Sequence, residues 1–327
     1  MAGKSPVKLV RDQLVLGPVT VEFQRTLRIP ETGLHYLPPG LGRFPLRRVE
    51  DYPDTVPTEW LARGGVMLPI YQREAMWLSF DSSEPAALQV GMGKVCAVSG
   101  LPWIEHLVKN PQDYVVLPDQ PWLDGINVGD GFIRQFVAVP FGSGATVEGQ
   151  LTGRETHGGV QLRAVGLTEQ ALEAWRETQR VVESEICFDM APMACSEAIG
   201  SADMGLGAGG RMRQEVYTDD RPVDDYDEGG AQRVFVHLCS AAQWAGITGE
   251  VPPPTPVDRN AYVSAGLPWF DYYDADAQDL EPSQILAKVK TVGEKLGGEG
   301  TSFVPFDPKA VITLGDVSSS EVVDGNW

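Results

Sequence analysis

Val19-Thr20-Val21-Glu22-Phe23-Gln24-Arg25-Thr26-Leu27-Arg28-Ile29 alternates along its whole length. Val21, Phe23, Arg25 and Leu27 share one face, and Glu22, Gln24, Thr26 and Arg28 the other, which is the period of two of a half-buried strand. The turn pair Gly17-Pro18 precedes it, and residues 7–10 and 14–16 read as earlier strands. Working outward, strand patterns recur at 88–98, 131–141, 145–152, 158–165, 212–217 and 233–238. Residues 70–80 are strand-like by their aromatics, although a short helix also fits. Two helices are predicted: one capped by Thr168 and running to about Ser184, and one over 282–296 with Ile285, Val289, Val292 and Leu296 on its apolar stripe. The predicted fold is α+β and predominantly β, with antiparallel sandwich or barrel-like sheets, two main helices and long Pro/Gly-rich loops such as 30–69. A β-rich domain over 1–165 is followed by an α+β domain over 166–327 packed on it, with a loose tail from about 315.

A net charge of −19 in 327 residues, with no basic run longer than Arg47-Arg48, argues against a nucleic-acid partner, whose phosphates require clustered cations. No uninterrupted apolar run is long enough to span a bilayer, and the first residues lack the apolar core of a secretory signal, so a cytoplasmic protein with no membrane partner is predicted. Cys96, Cys187, Cys195 and Cys239 form no C-x-x-C pair and read as buried reduced thiols.

Six times a glutamine adjoins an arginine: 24–25, 72–73, 134–135, 179–180, 213–214 and 232–233. From 16 Gln and 18 Arg roughly two such neighbours arise by chance, and adjacent strand residues face opposite ways with no shared contact to enforce the pairing. Five pairs sit in strand-like surroundings. An arginine on an apolar strand face needs a carboxylate or carbonyl partner, and its planar fork suits bidentate acids. Arg25, Arg73, Arg134, Arg213 and Arg233 are therefore candidates for internal ion pairs, a subunit interface or a groove for an acidic ligand, with the glutamine of each pair turned the other way.

The loop 118–131 offers Asp119, Asp124, Asn127 and Asp130 beside Trp122, an oxygen-rich set that could hold calcium or magnesium but whose spacing also suits ordinary Asx turns. Trp122 is a further candidate ligand or interface residue. Gly205-Leu206-Gly207-Ala208-Gly209-Gly210 fits G-x-G-x-x-G, but no strand precedes it and no helix follows; a packed glycine loop, or an anion nest with Arg211 and Arg213, fits better. Gly100-Leu101-Pro102-Trp103 is echoed at 266–269, too little to establish a duplication. No G-x-S-x-G, H-E-x-x-H or P-loop occurs, and His35, His106, His157 and His237 are widely spaced.

The strings 23–30 (FQRTLRIP), 71–77 (YQREAMW), 118–125 (PDQPWLDG) and 209–215 (GGRMRQE) resemble those of a family of uncharacterised bacterial proteins with no known activity. That resemblance implies a bacterial origin and one conjoined architecture, and it transfers no catalytic residue and no cofactor. The sequence thus favours a non-enzymatic structural or interaction protein that associates with itself or with another protein. The alternatives are a carboxylate-based enzyme, with or without a divalent cation, and a binding module for an acidic small molecule.

Overall fold

The computed structural model describes residues 7–31, 33–36, 38, 40–182, 204–253, 283–296 and 320–327. It is a strand-rich α+β fold built on a large antiparallel sheet. The alternating stretch forms the strand Val19–Thr26, which pairs antiparallel with both Gln13–Leu16 and Ala75–Ser82. From Ala75–Ser82 the pairing passes to Phe132–Pro140, Met204–Arg213, Gln232–Cys239, Val160–Gly166 and Ala86–Met92. It then returns through Val115–Leu117, against Ala86–Met92, and Trp122–Leu123, against Ala75–Ser82. This barrel-like circuit encloses the main apolar cluster, to which Phe23, Leu78, Val90, Phe136, Leu162 and Leu206 contribute from six strands. Two short parallel pairings, Leu34–His35 on Met204–Arg213 and Val66–Pro69 on Gln232–Cys239, extend it. Among the described residues no helix is long and apolar enough to cross a membrane.

Side-chain amides hold the irregular segments to this frame. Among the described residues, five buried glutamines each accept a backbone N–H and donate to a backbone carbonyl. Gln135 takes the N–H of Ile29 (3.1 Å) and gives to the carbonyl of Leu27 (2.9 Å). Gln161 links Lys94 and Gly158, and Gln214 links Asp124 and Trp122. Gln112 binds Asp219 and the carbonyls of Tyr114 and Tyr217, while Gln120 binds Tyr217 and the carbonyls of Trp122 and Glu215. Residues 112–124 and 214–219 are stitched together by these amides. Each such group would otherwise be a buried, unsatisfied donor or acceptor.

Several elements differ from the sequence expectation. Residues 147–152 form a helix, Val147–Thr152, because the Thr146 hydroxyl accepts the N–H of Gly149 and Gly153 closes the end in the left-handed region. The predicted helix 282–296 is interrupted within its described part: Leu286–Lys288 is a 3-10 turn, Val289 is extended, and Val292–Leu296 begins a new helix. Thr291 and Glu294 form a capping box there, while Gln150 takes the N–H of Lys290 and donates to its carbonyl. The glycine run 205–210 lies within the strand Met204–Arg213, which starts well before residue 212. Neighbours press on it so closely that a Cβ at Gly210 would stand 2.2 Å from the Pro30 carbonyl oxygen. The loop 30–69 contains the helix Thr58–Arg63 and several short strands.

The end of the chain, expected to be loose from about 315, is tied down over 320–327. Gly65 donates to Val323, Gly325 to Arg63 and Val322 to Val7, and the Trp327 ring lies under Lys94 and Arg233. The second GLPW segment, Cys187 and Cys195 lie outside the described residues. Cys96 and Cys239 are buried thiols that donate to the carbonyls of Asp113 and Leu68.

Arg25 and Glu74 are both buried, with Nε to Oε1 at 2.7 Å, and Glu74 Oε2 accepts the N–H of Tyr71 at 3.0 Å. Burial pushes the Glu74 carboxyl above its ordinary range against the opposing pull of Arg25 and the Tyr71 N–H. Removing only the cation leaves a buried charge, so Arg25→Met is expected to cost about 3–5 kcal/mol in denaturant unfolding. Arg25→Met with Glu74→Gln, which keeps an acceptor for Tyr71, is expected to recover much of that loss.

Candidate functional site

The five strand-like Gln–Arg pairs separate into different environments. At 24–25 the arginine is the buried member. At 134–135 and 213–214 it is the glutamine that is buried, so these glutamines do not look outward as the sequence suggested; they satisfy backbone, and the arginines take the outer face. Residues 72–73 form a turn ahead of Ala75–Ser82, where Arg73 has φ +69° and donates its N–H to Ala138 (2.7 Å). Arg233 is paired within the chain, to Asp324 (2.8 Å), Glu105 and the carbonyl of Gly325. Arg213 is exposed at the end of its strand, opposite Phe132. Trp122 is partly buried, and its carbonyl receives the amides of Gln120 and Gln214.

The oxygen-rich loop does not converge. Asp124 is buried, Asp119 and Asp130 are exposed, and Asn127 Oδ1 accepts the N–H of Gly129 at 2.9 Å. The cause is local: 125–129 is a strand, and Asp130 sits at φ +56° in the tight turn that follows. Among the described residues no three His, Cys, Asp or Glu side chains come together in a group able to hold a metal ion.

What the fold does bring together is Arg134 and Arg211. They are direct partners across the antiparallel ladder of Phe132–Pro140 and Met204–Arg213, just before a bulge that shifts the register. Both line a surface hollow of about 300 Å³ together with Glu31, Leu34, Phe132 and Thr291. The Arg211 guanidinium lies 3.8 Å from the centroid of the Phe132 ring, and Arg134 donates to the Val289 carbonyl. Among the described residues neither makes a salt bridge, whereas Glu31 in the same hollow pairs with Arg28 at 2.6 Å. Like charges directly opposed on a ladder repel, and a carboxylate or phosphate between them would turn that cost into attraction. Sequence reasoning reached Arg134 as a strand cation and Arg211 only as part of a glycine-loop nest. Their juxtaposition depends on strand register.

Fold and hollow together define a strand-rich α+β protein with a paired-arginine surface site. Compared with known protein families, curated proteins and solved structures, the chain matches none.

Asp124 supplies a test of the loop that needs no ligand. Burial raises its carboxyl to about 8, against the weaker opposing pull of the Trp122 and Gln214 side chains. The folded state therefore holds a proton that the unfolded chain releases near its ordinary value of 3.8, and stability falls as pH rises from about 4 through about 8. Asp124→Asn is expected to raise the melting temperature at pH 8 and to lose that advantage at pH 4, checked by thermal unfolding across pH.

Proposed function

We propose that the protein is a binding module for a small acid with an apolar flank, held at the Arg134–Arg211 pair. The observation that carries this reading is the direct cross-strand opposition of two arginines over a concave surface, with neither ion-paired among the described residues. In an otherwise acidic chain of net charge −19, such a pair is a local attractor for an anion. Leu34, exposed and paired by register with Arg211, and Phe132 under the guanidinium supply the apolar flank. Thr291, buried and with its hydroxyl oxygen accepting the N–H of Glu294, lines the same hollow.

Inorganic phosphate, citrate and benzoate form a probe series. Any of them that binds the folded state alone raises its stability, by about 2.7 kcal/mol at one hundred times Kd. Thermal shift is expected to show saturable stabilisation by at least one probe, abolished in Arg134→Ala and in Arg211→Gln. Arg211→Gln without ligand is expected to be as stable as the parent or about 0.5 kcal/mol more so, because the cross-strand repulsion is gone. Stabilisation that survives both substitutions would remove this site from consideration.

A further inference from the structure

A second cleft, independent of the arginine hollow, contains an oriented imidazole. Glu148, on the helix Val147–Thr152, has a side chain only 3% exposed. Its Oε1 accepts the N–H groups of Thr156 (3.0 Å) and His157 (2.9 Å), and its Oε2 accepts the N–H of Gly158 (2.9 Å). Burial alone would raise this carboxyl, but the His157 ring and the three N–H groups reverse the effect and hold it at about 2. An acceptor-only carboxylate therefore faces His157 Nδ1 at 3.1 Å, and the Thr156 hydroxyl, which spends its proton on the same Oε1 and lies 3.0 Å from Nδ1, can only accept there, so both neighbours favour the ring proton on Nδ1. The Nε2 lone pair is left on the other edge of a ring whose side chain is 37% exposed.

His157 lines a cleft of about 190 Å³ with Trp60, Phe141, Phe235, Arg63 and His237. His237 gives its Nε2 proton to the Gly64 carbonyl (2.9 Å) and stacks on Trp60 at 4.5 Å, and burial keeps it neutral, at about 3. Arg63 is anchored by the carbonyls of His157 and Thr156, both at 3.0 Å, and keeps further N–H donors. Glu59 is the other charged group among the described residues that line the cleft. Among the described residues that line the cleft there is no serine or cysteine, and the Thr156 hydroxyl gives its proton to Glu148.

We infer that His157 is a general base that activates water against small esters with a flat apolar group, with Glu148 as its positioning residue. In the step, Nε2 takes a proton from water as the water oxygen bonds to the ester carbonyl carbon. The carbonyl electron pair moves onto its oxygen, where the Arg63 charge favours it. On collapse the bond to the leaving oxygen breaks and the imidazolium returns the proton to that oxygen. Ester and water become acid and alcohol with no redox change.

The test uses the intact protein with 4-nitrophenyl acetate. Saturable hydrolysis is expected, with kcat reduced about 100-fold in His157→Gln, KM little changed, and the melting temperature retained. His106→Gln is expected to leave the rate unaltered, and added imidazole to restore part of the activity of His157→Ala. For the positioning role, nitrogen NMR is expected to show His157 protonated at Nδ1 in the parent, and a mixture of tautomers in Glu148→Gln, which keeps one acceptor oxygen for the N–H groups of Thr156 and His157. A rate that does not saturate, no hydrolysis above free imidazole, or a rate unaffected by His157→Gln would overturn the assignment of the base. An unchanged tautomer in Glu148→Gln would overturn the role of Glu148.

Discussion

The hydrogen bonds from buried glutamine amides to backbone are the constraint on which the rest of the structure depends. A sheet that bends round one core and is crossed by long irregular connections leaves many backbone groups without a ladder partner. Each one buried and unmatched costs about 1–3 kcal/mol. A glutamine amide offers an acceptor oxygen and an NH2 with two donors on a neutral side chain, which can stand in for the N–H and C=O of a missing stretch of strand. Gln112, Gln120 and Gln214 use this to fasten residues 112–124 against 214–219, and Gln135 fastens the chain after Val19–Thr26.

The charge distribution follows from that placement. Where the glutamine of a Gln–Arg pair is drawn inward, strand alternation turns its arginine outward, as at 134 and 213. Register then sets Arg134 against Arg211 over a hollow. Where the arginine itself is inward, at 25, the structure supplies Glu74. The other cleft owes its geometry to the same kind of satisfaction: a buried carboxylate collects N–H groups from 156–158 and so orients His157.

Strand alternation made 19–26 legible, because side chains on the two faces differ in polarity over eight residues. The strand 204–213 was not, since glycines at 205, 207, 209 and 210 carry no polarity to alternate; they are there to admit neighbouring atoms. Helix 147–152 is too short for a helical period to declare itself, leaving the Thr146 cap as its main local sign. Over 286–296 an apolar stripe at helical spacing misled, because contacts distant in sequence hold 289–291 extended and the Thr291–Glu294 box restarts the helix. Of the candidate sites, the sequence disclosed single strand arginines and a loop of acids, but not which arginines oppose each other. It read the glutamines as outward because polarity alone does not reveal a partner in the backbone.

Native-state hydrogen exchange tests the glutamine account most directly. The amide protons of Ile29, Lys94, Asp124, Tyr217 and Asp219 each bond to a glutamine oxygen and lie outside the strands and helices. They are predicted to exchange as slowly as the amides of the central strands. In Gln135→Met, protection of Ile29 is predicted to fall about tenfold, the loss of one net hydrogen bond, while Asp124 keeps its own. Fast exchange of these five amides in the parent protein, or an Ile29 amide indifferent to Gln135→Met, would contradict the account.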